Sequence, residues 1–401
     1  MTVVTVAGST QSFTYSTTAT TALAQLIASA ITTATTTTTI TTTGAANTVS
    51  GAGAILDNAT GATTVVGTGG PQSVIAGSGG LTYTGAANTT VSVAAAGGNN
   101  VITLPSGDTF NVATGAGNDS VYAQGTGTID VGTGSNVVIV GGASSVAVWA
   151  GGTSDVIALG SGADTVGESG TGATISGGSG NNVIADVGTG NTFAGGTGNN
   201  TIFGGTNGLY YLSTGNTLLV ATAADTIVGG TSGSETIFGG ASDRIFVDGS
   251  QMLYIAGTNG SSTIDAGTGS STFFGASGSS VLLTGTSAGN ATLLAGSGAE
   301  TLSAAGDSGK VLFAAGSGNA SMVAGTGTDT FAFFKSLTAG AGGADTISGF
   351  TSSDKLVLGG YGSSAITNQS VSGGSLTITL SDSTKVTFLS LTSISGNTTI
   401  V

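Results

Sequence analysis

Cysteine and histidine are absent from these 401 residues, and proline occurs only as Pro71 and Pro105. Without Cys there is no disulfide staple and no thiol nucleophile. Without either residue the usual general bases, zinc ligands and nucleophilic triads are missing. Basic residues are almost as scarce: Arg244, Lys310, Lys335, Lys355 and Lys385 stand against 19 acidic residues, for a net charge of −14. Nucleic acid requires clustered Lys and Arg to displace its counterions, so a DNA or RNA partner is excluded. An anionic membrane surface is disfavoured on the same ground. The best apolar run near the N-terminus, Thr21 to Ile31, is too short to cross a bilayer, and no transmembrane segment is expected. That region also lacks the positive charge of a Sec signal peptide.

What is present is glycine, 74 residues of it, with 39% apolar and only 6% charged residues. Disordered chains combine low hydrophobicity with many charges and prolines, the opposite of this balance. Collagen is excluded because Gly keeps no three-residue period and proline is nearly missing. The glycines are therefore expected to serve tight turns of a folded, repetitive structure.

Three regions follow from the pattern. In residues 1–44, Val3 to Tyr15 alternates as a strand or hairpin would, and Leu23, Leu26, Ile27 and Ile31 sit at helical spacing. The Thr-rich run Thr32 to Thr43 favours a strand. This region reads either as a strand/helix cap or as an assembly segment that adds a strand to a neighbouring subunit. From 45 to 350, short β-branched runs alternate with Gly-rich turns roughly every nine residues, and Asp164, Asn182 and Asn200 are 18 apart. Two turn-plus-strand units would close one coil of a right-handed parallel β-solenoid, or β-roll, with Val183, Ile202, Ile237 and Phe273 expected to point inward. Some 300 residues at ~18 per coil would make roughly 16 coils. In 351–401, the runs Ser352–Gly360, Ser375–Asp382 and Ser383–Leu391 are expected as antiparallel strands of a C-terminal β cap. The fold class expected is all-β.

The turns GAGNDSVYA (Gly115 to Ala123) and GTGTDTFAF (Gly325 to Phe333), with Gly342 to Gly360 after them, carry a resemblance to the RTX nonapeptide, Gly-Gly-x-Gly-x-Asp-x-apolar-x. The resemblance covers about three quarters of the chain. It implies a secreted β-roll, and the hydroxylated-then-apolar tail Thr398 to Val401 is similar to a type I secretion signal. It also implies calcium, bound in that family by the sixth-position Asp and turn carbonyls. Asp119, Asp164, Asp329 and Asp345 hold that position here, and Asp354 follows near the cap. Elsewhere it is Asn182, Asn200, Glu235, Glu300, Ser271 or Ala320, so most turns are expected to hold by backbone and Asn hydrogen bonds. The plain alternative for the Asp residues is turn capping of nearby amides.

No phosphate-binding loop is present. Asp243 with Asp248, near Arg244, is the one carboxylate pair that glycan cleavage could use, and sparse surface charge accounts for it better. No catalytic residue is assigned, and the chain is read as a non-enzyme. The leading expectation is a secreted, self-assembling extracellular component: a fibre, surface layer or biofilm-matrix protein. Its partners would be further copies of itself, and cell-surface polysaccharide. A calcium-responsive RTX adhesin is the alternative. Ice binding is a third, from turn threonines Thr133, Thr189, Thr197, Thr268 and Thr326.

Overall fold

Every described strand from the middle of the chain onward is three to five residues long until the last 36 positions, a length that turns one or two side chains of most strands inward. In the computed structural model those strands stack in parallel as a β-solenoid, about 14 turns in all, with no helix among the described residues. The structure describes residues 2–7, 12–17, 37–40, 47–57, 59–212, 214–247, 249–257, 260–278, 280–284, 289–337, 343–394 and 396–401, with backbone alone up to residue 52 and at 266, 283 and 284. The expected helix at Thr21 to Ile31, Asp248 and Gly342 lie outside them. None of the described residues belongs to a helix long and apolar enough to cross a membrane.

The chain divides into two compact units, Met1–Gly205 and Thr206–Val401. In the first, strands nine residues apart alternate between two ladders. Thr165–Glu168 pairs with Val183–Asp186, while Val156–Ala158 pairs with Thr174–Ser176. Each ladder carries a buried apolar column. One runs Ile102, Val121, Val138, Ile157, Ile175, Phe193; the other Val112, Ile129, Val148, Val166, Ile184, Ile202. Stacking like on like at ~4.8 Å lets each inward side chain cover the next, which makes stability a sum over neighbouring coils.

The second unit repeats the plan with larger side chains. Its columns run Tyr210, Ile227, Ile245, Ile264, Leu282, Leu302, Met322 and Leu219, Ile237, Tyr254, Phe273, Leu293, Phe313, Phe331. Phe313 and Phe331 stack with ring centroids 4.7 Å apart. Ile202, Ile237 and Phe273 face inward as expected. Val183 does not: it is 43% exposed, and its neighbour Ile184 takes the core position. The buried side chain of Asn182 sets the parity, so with a period of two the next inward residue is 184.

Coil length varies, which is why the coils are fewer than 18-residue bookkeeping implies. Thr165 aligns with Val183, 18 residues on, but Val281 aligns with Thr301, 20 on, and Thr330 with Lys355, 25 on.

Two glycines show two different reasons for the residue. Gly196 adopts φ 76°, a left-handed backbone that side chains resist. Gly180 has no such φ; a Cβ there would collide with the carbonyl oxygen of Gly162 in the preceding coil. Close stacking of turns, as well as positive φ, demands glycine.

Near the C-terminus the expected antiparallel geometry holds only in part. Ile366–Ser372 and Ser375–Leu380 form a hairpin whose two-residue connection, Gly373 and Gly374, has the paired positive φ of a type I′ turn. Ser375–Leu380 also pairs antiparallel with Lys385–Phe388. Lys355–Gly359, by contrast, continues the parallel ladder on Thr330–Phe334, because its inward Leu356 and Leu358 extend the columns of Phe331 and Phe333. Near the N-terminus, Thr2–Ala7 and Ser12–Thr17 form an antiparallel hairpin, and Thr37–Ile40 pairs parallel with Ala54–Asp57.

Candidate functional site

The residue that opens each short strand is the chemically distinctive one. From Asp155 it recurs every nine positions as Asp155, Asp164, Ala173, Asn182, Asn191 and Asn200, all buried. Each polar member faces inward at the turn and accepts the backbone N–H of its counterpart one coil earlier. Val146 donates to Asp164 Oδ1 (2.8 Å), Asp164 to Asn182 Oδ1 (3.0 Å) and Asn182 to Asn200 Oδ1 (3.1 Å). On the alternate ladder, Asn136 donates to Asp155 Oδ1 (2.7 Å) and Ala173 to Asn191 Oδ1 (2.8 Å). These amides would otherwise be orphaned where the strand ladder gives way to turn, at a cost of about 1–3 kcal/mol each. The side chain is a latch between coils.

Asparagine completes the latch with its second group. Asn182 Nδ2 donates to the carbonyls of Gly177 and Gly180, and Asn200 Nδ2 to those of Gly195 and Gly198. A carboxylate has no such donor, and the five candidate calcium ligands divide over what their second oxygen finds. Asp329 Oδ2 accepts from Gly325 N (2.8 Å) and Asp354 Oδ2 from Thr351 N (2.7 Å), each reaching back to an amide of its own turn. Their Oδ1 atoms accept from Val311 N (3.1 Å) and Asp329 N (2.9 Å). Asp119 Oδ1 accepts from both Asn100 N (2.8 Å) and Asn100 Nδ2 (2.7 Å), and Asp345 Oδ1 from Ala320 N (2.8 Å). The Oδ2 atoms of Asp119, Asp164 and Asp345 are buried without a hydrogen-bond partner.

Burial holds Asp119, Asp164, Asp329 and Asp345 above the usual range. Desolvation raises Asp119, Asp164 and Asp329, and lifts Asp345 to about 7, with the Glu300 charge adding to it. Glu300, whose Oε2 is likewise unpartnered, is pushed up to about 6. Glu168 reaches about 7, mainly by burial, with Asp155 and Asp186 also raising it.

The structure brings Asp329 and Asp354 together on adjacent coils and places Asp345 on the other ladder of that unit. In the first unit Asp119 and Asp164 open strands of different ladders. Among the described residues no three acidic side chains gather where a metal ion could be held. Tested as calcium ligands, Asp119, Asp164 and Asp345 each keep one oxygen that a cation could take, whereas Asp329 and Asp354 give both oxygens to amides.

Asp243 is buried rather than on the surface: its Oδ1 accepts from Asp225 N (3.1 Å) and its Oδ2 from Gly240 N (2.6 Å). It is one more latch. Latches at Asp155 and Asn191 lie outside the Gly-Gly-x-Gly pattern, and the nine-residue interval counted from Asp164 and Asn182 is the signal that finds them. Of the turn threonines, Thr189 aligns with Thr171, and Thr171 with Thr153, whereas Thr133 aligns with Ala116. No protein-family model and no curated protein matches the sequence.

Proposed function

We propose that this chain is a secreted, self-assembling structural protein of the extracellular space or cell surface, built on RTX-type repeats and exported by a type I system. The observation that carries the reading is an outer sheet face in the second unit. There Val220, Phe238, Ile255, Phe274 and Leu294 align on successive coils as one outward, charge-free column. Beside it runs a second uncharged column, Leu218, Thr236, Leu253, Thr272 and Thr292. Phe238 and Phe274 are 42% and 37% exposed, an apolar display that a lone soluble protein has reason to avoid. On a chain of net charge −14, neutral faces are where copies can meet without repulsion. Electron microscopy and light scattering of the purified protein test this: ordered assemblies are expected, and monodisperse particles under all conditions would overturn it.

A calcium-responsive binding module is the second reading, favoured by the unpartnered oxygens of Asp119, Asp164 and Asp345. Calcium bound there would supply the positive charge these buried carboxylates lack. Calorimetry in calcium against chelator separates the two readings. A large upward shift in Tm with calcium supports the responsive module; an unchanged Tm removes it.

A further inference from the structure

We propose that the free edge of the strand Ile366–Ser372 accepts, as added strands, the hairpin Thr2–Ala7/Ser12–Thr17 of a second copy of this chain. The inference rests on the self-assembly reading and adds a strand-addition contact to the neutral column described above.

The acceptor is an undefended edge. Among the described residues Ile366–Ser372 pairs only with Ser375–Leu380, in continuous register from Asn368 to Ser372. Six of its seven residues are exposed. An edge strand presents a row of unpaired N–H and C=O groups, which soluble proteins usually guard with Lys, Pro or a very short strand. The sequence ITNQSVS has no charge and no proline, and it is longer than most strands of the solenoid.

The donor is a sheet that lacks a third strand. Thr2–Ala7 and Ser12–Thr17 pair with each other, from Thr2 opposite Thr17 to Ala7 opposite Ser12, and with nothing else among the described residues. A lone two-stranded sheet is marginal in water, and stability comes with a third or fourth strand. TVVTVA and SFTYST are rich in the β-branched and aromatic residues that strands prefer.

Charge selects a copy of this chain as occupant. No charged residue precedes Asp57, so donor and acceptor are both neutral segments of a chain whose net charge is −14. Two copies can approach through these segments without the repulsion carried elsewhere. The two patches differ, so each copy both donates and accepts. Such a heterologous contact grows open chains when it does not close into a ring.

The natural absence of Cys makes the contact directly readable in the full-length protein. Thr5→Cys or Thr14→Cys protein is mixed in equal amounts with Gln369→Cys protein and oxidised. A disulfide-linked dimer of the two variants, enriched over either variant oxidised alone, is expected. Absence of the mixed dimer, or an intramolecular bridge only when Thr5→Cys and Gln369→Cys share one chain, overturns the proposal. Val371→Lys supplies an independent arm, because Val371 is 55% exposed and the change leaves the core untouched. It should abolish assembly while circular dichroism and Tm stay those of the parent. Assembly undiminished in Val371→Lys sinks this contact yet leaves self-assembly standing, whereas a parent protein that never assembles sinks both.

Discussion

The stretches Asn182–Asn200 and Glu300–Asp354 fill the same buried position with different chemistry. In the first, Asn182 and Asn200 accept an amide from the preceding coil and donate two hydrogen bonds back to turn carbonyls. In the second, Glu300, Asp329, Asp345 and Asp354 occupy the buried positions, and Glu300 and Asp345 leave an oxygen stranded. Except at Glu300, whose Oε1 accepts from Gly296 N in its own turn, the shared element is one oxygen accepting one N–H across coils. What differs is whether the second atom of the side chain is a donor. An amide makes the turn neutral and complete; a carboxylate leaves charge in the interior, tolerable only with a second amide, a proton or a cation. Glycine stacking and apolar columns are common to both, although the second has larger core side chains and longer coils.

The largest expected effect would erase the contrast if the latches dominated stability. Ile184→Ala and Met322→Ala each empty one fully buried column position and should cost a similar amount, about 2–5 kcal/mol by denaturant melts. A large disparity between the two would show that coil packing is not equivalent in the two stretches. Next, Asn182→Asp imposes a carboxylate on a turn latched by amides. It turns a donor toward Gly177 and Gly180 into an oxygen facing oxygens, and about 3 kcal/mol should be lost near neutral pH. Much of that loss should return on acidification.

The acidic stretch should respond to pH by itself. Glu300 is raised from 4.5 to about 6 and Asp345 from 3.8 to about 7. A folded pKa above the unfolded one means the folded state holds the proton more tightly. The stabilisation is complete below the unfolded values and is lost as pH climbs through about 6 to 7. Protection in Ala320–Val323, referred to the intrinsic exchange rate at each pH, should rise on going from mildly alkaline to mildly acidic solution, and protection beside Glu168, itself raised to about 7, should rise with it. Glu300→Gln should flatten that dependence and stabilise at alkaline pH by about 1 kcal/mol. Smallest of all, Asn118→Ala and Asn319→Ala remove exposed caps on Ser135 N and Ala344 N, and each should cost about 0.5–1 kcal/mol. A much larger loss from either would mean that exposed caps hold the coils as firmly as buried ones.

The coil itself was legible: Asp164, Asn182 and Asn200 lie 18 apart because they occupy one position on successive turns of one ladder. The latch column was only half legible. Asp155 and Asn191 follow GTS and GTG rather than Gly-Gly-x-Gly, so a motif search passes over them although they hold the alternate ladder. Val183 was misplaced because Val183 and Ile184 are equally apolar, and hydrophobicity cannot choose between adjacent β-branched residues. Only the inward Asn182 sets the phase. The strand Lys355–Gly359 reads as antiparallel when its alternation is taken alone, but its partner is Thr330–Phe334, and direction belongs to the pair.

Turn, strand and repeat length were determined by the sequence alone, since glycine stacking and β-branched preference act within a few residues. Which carboxylate completes its hydrogen bonds was decided by the tertiary structure. The first oxygen of each meets an amide on a neighbouring coil, 18 residues away for Asp164 and 25 for Asp345, but only in the folded turns of Asp329 and Asp354 does an amide, Gly325 N or Thr351 N, also reach the second oxygen.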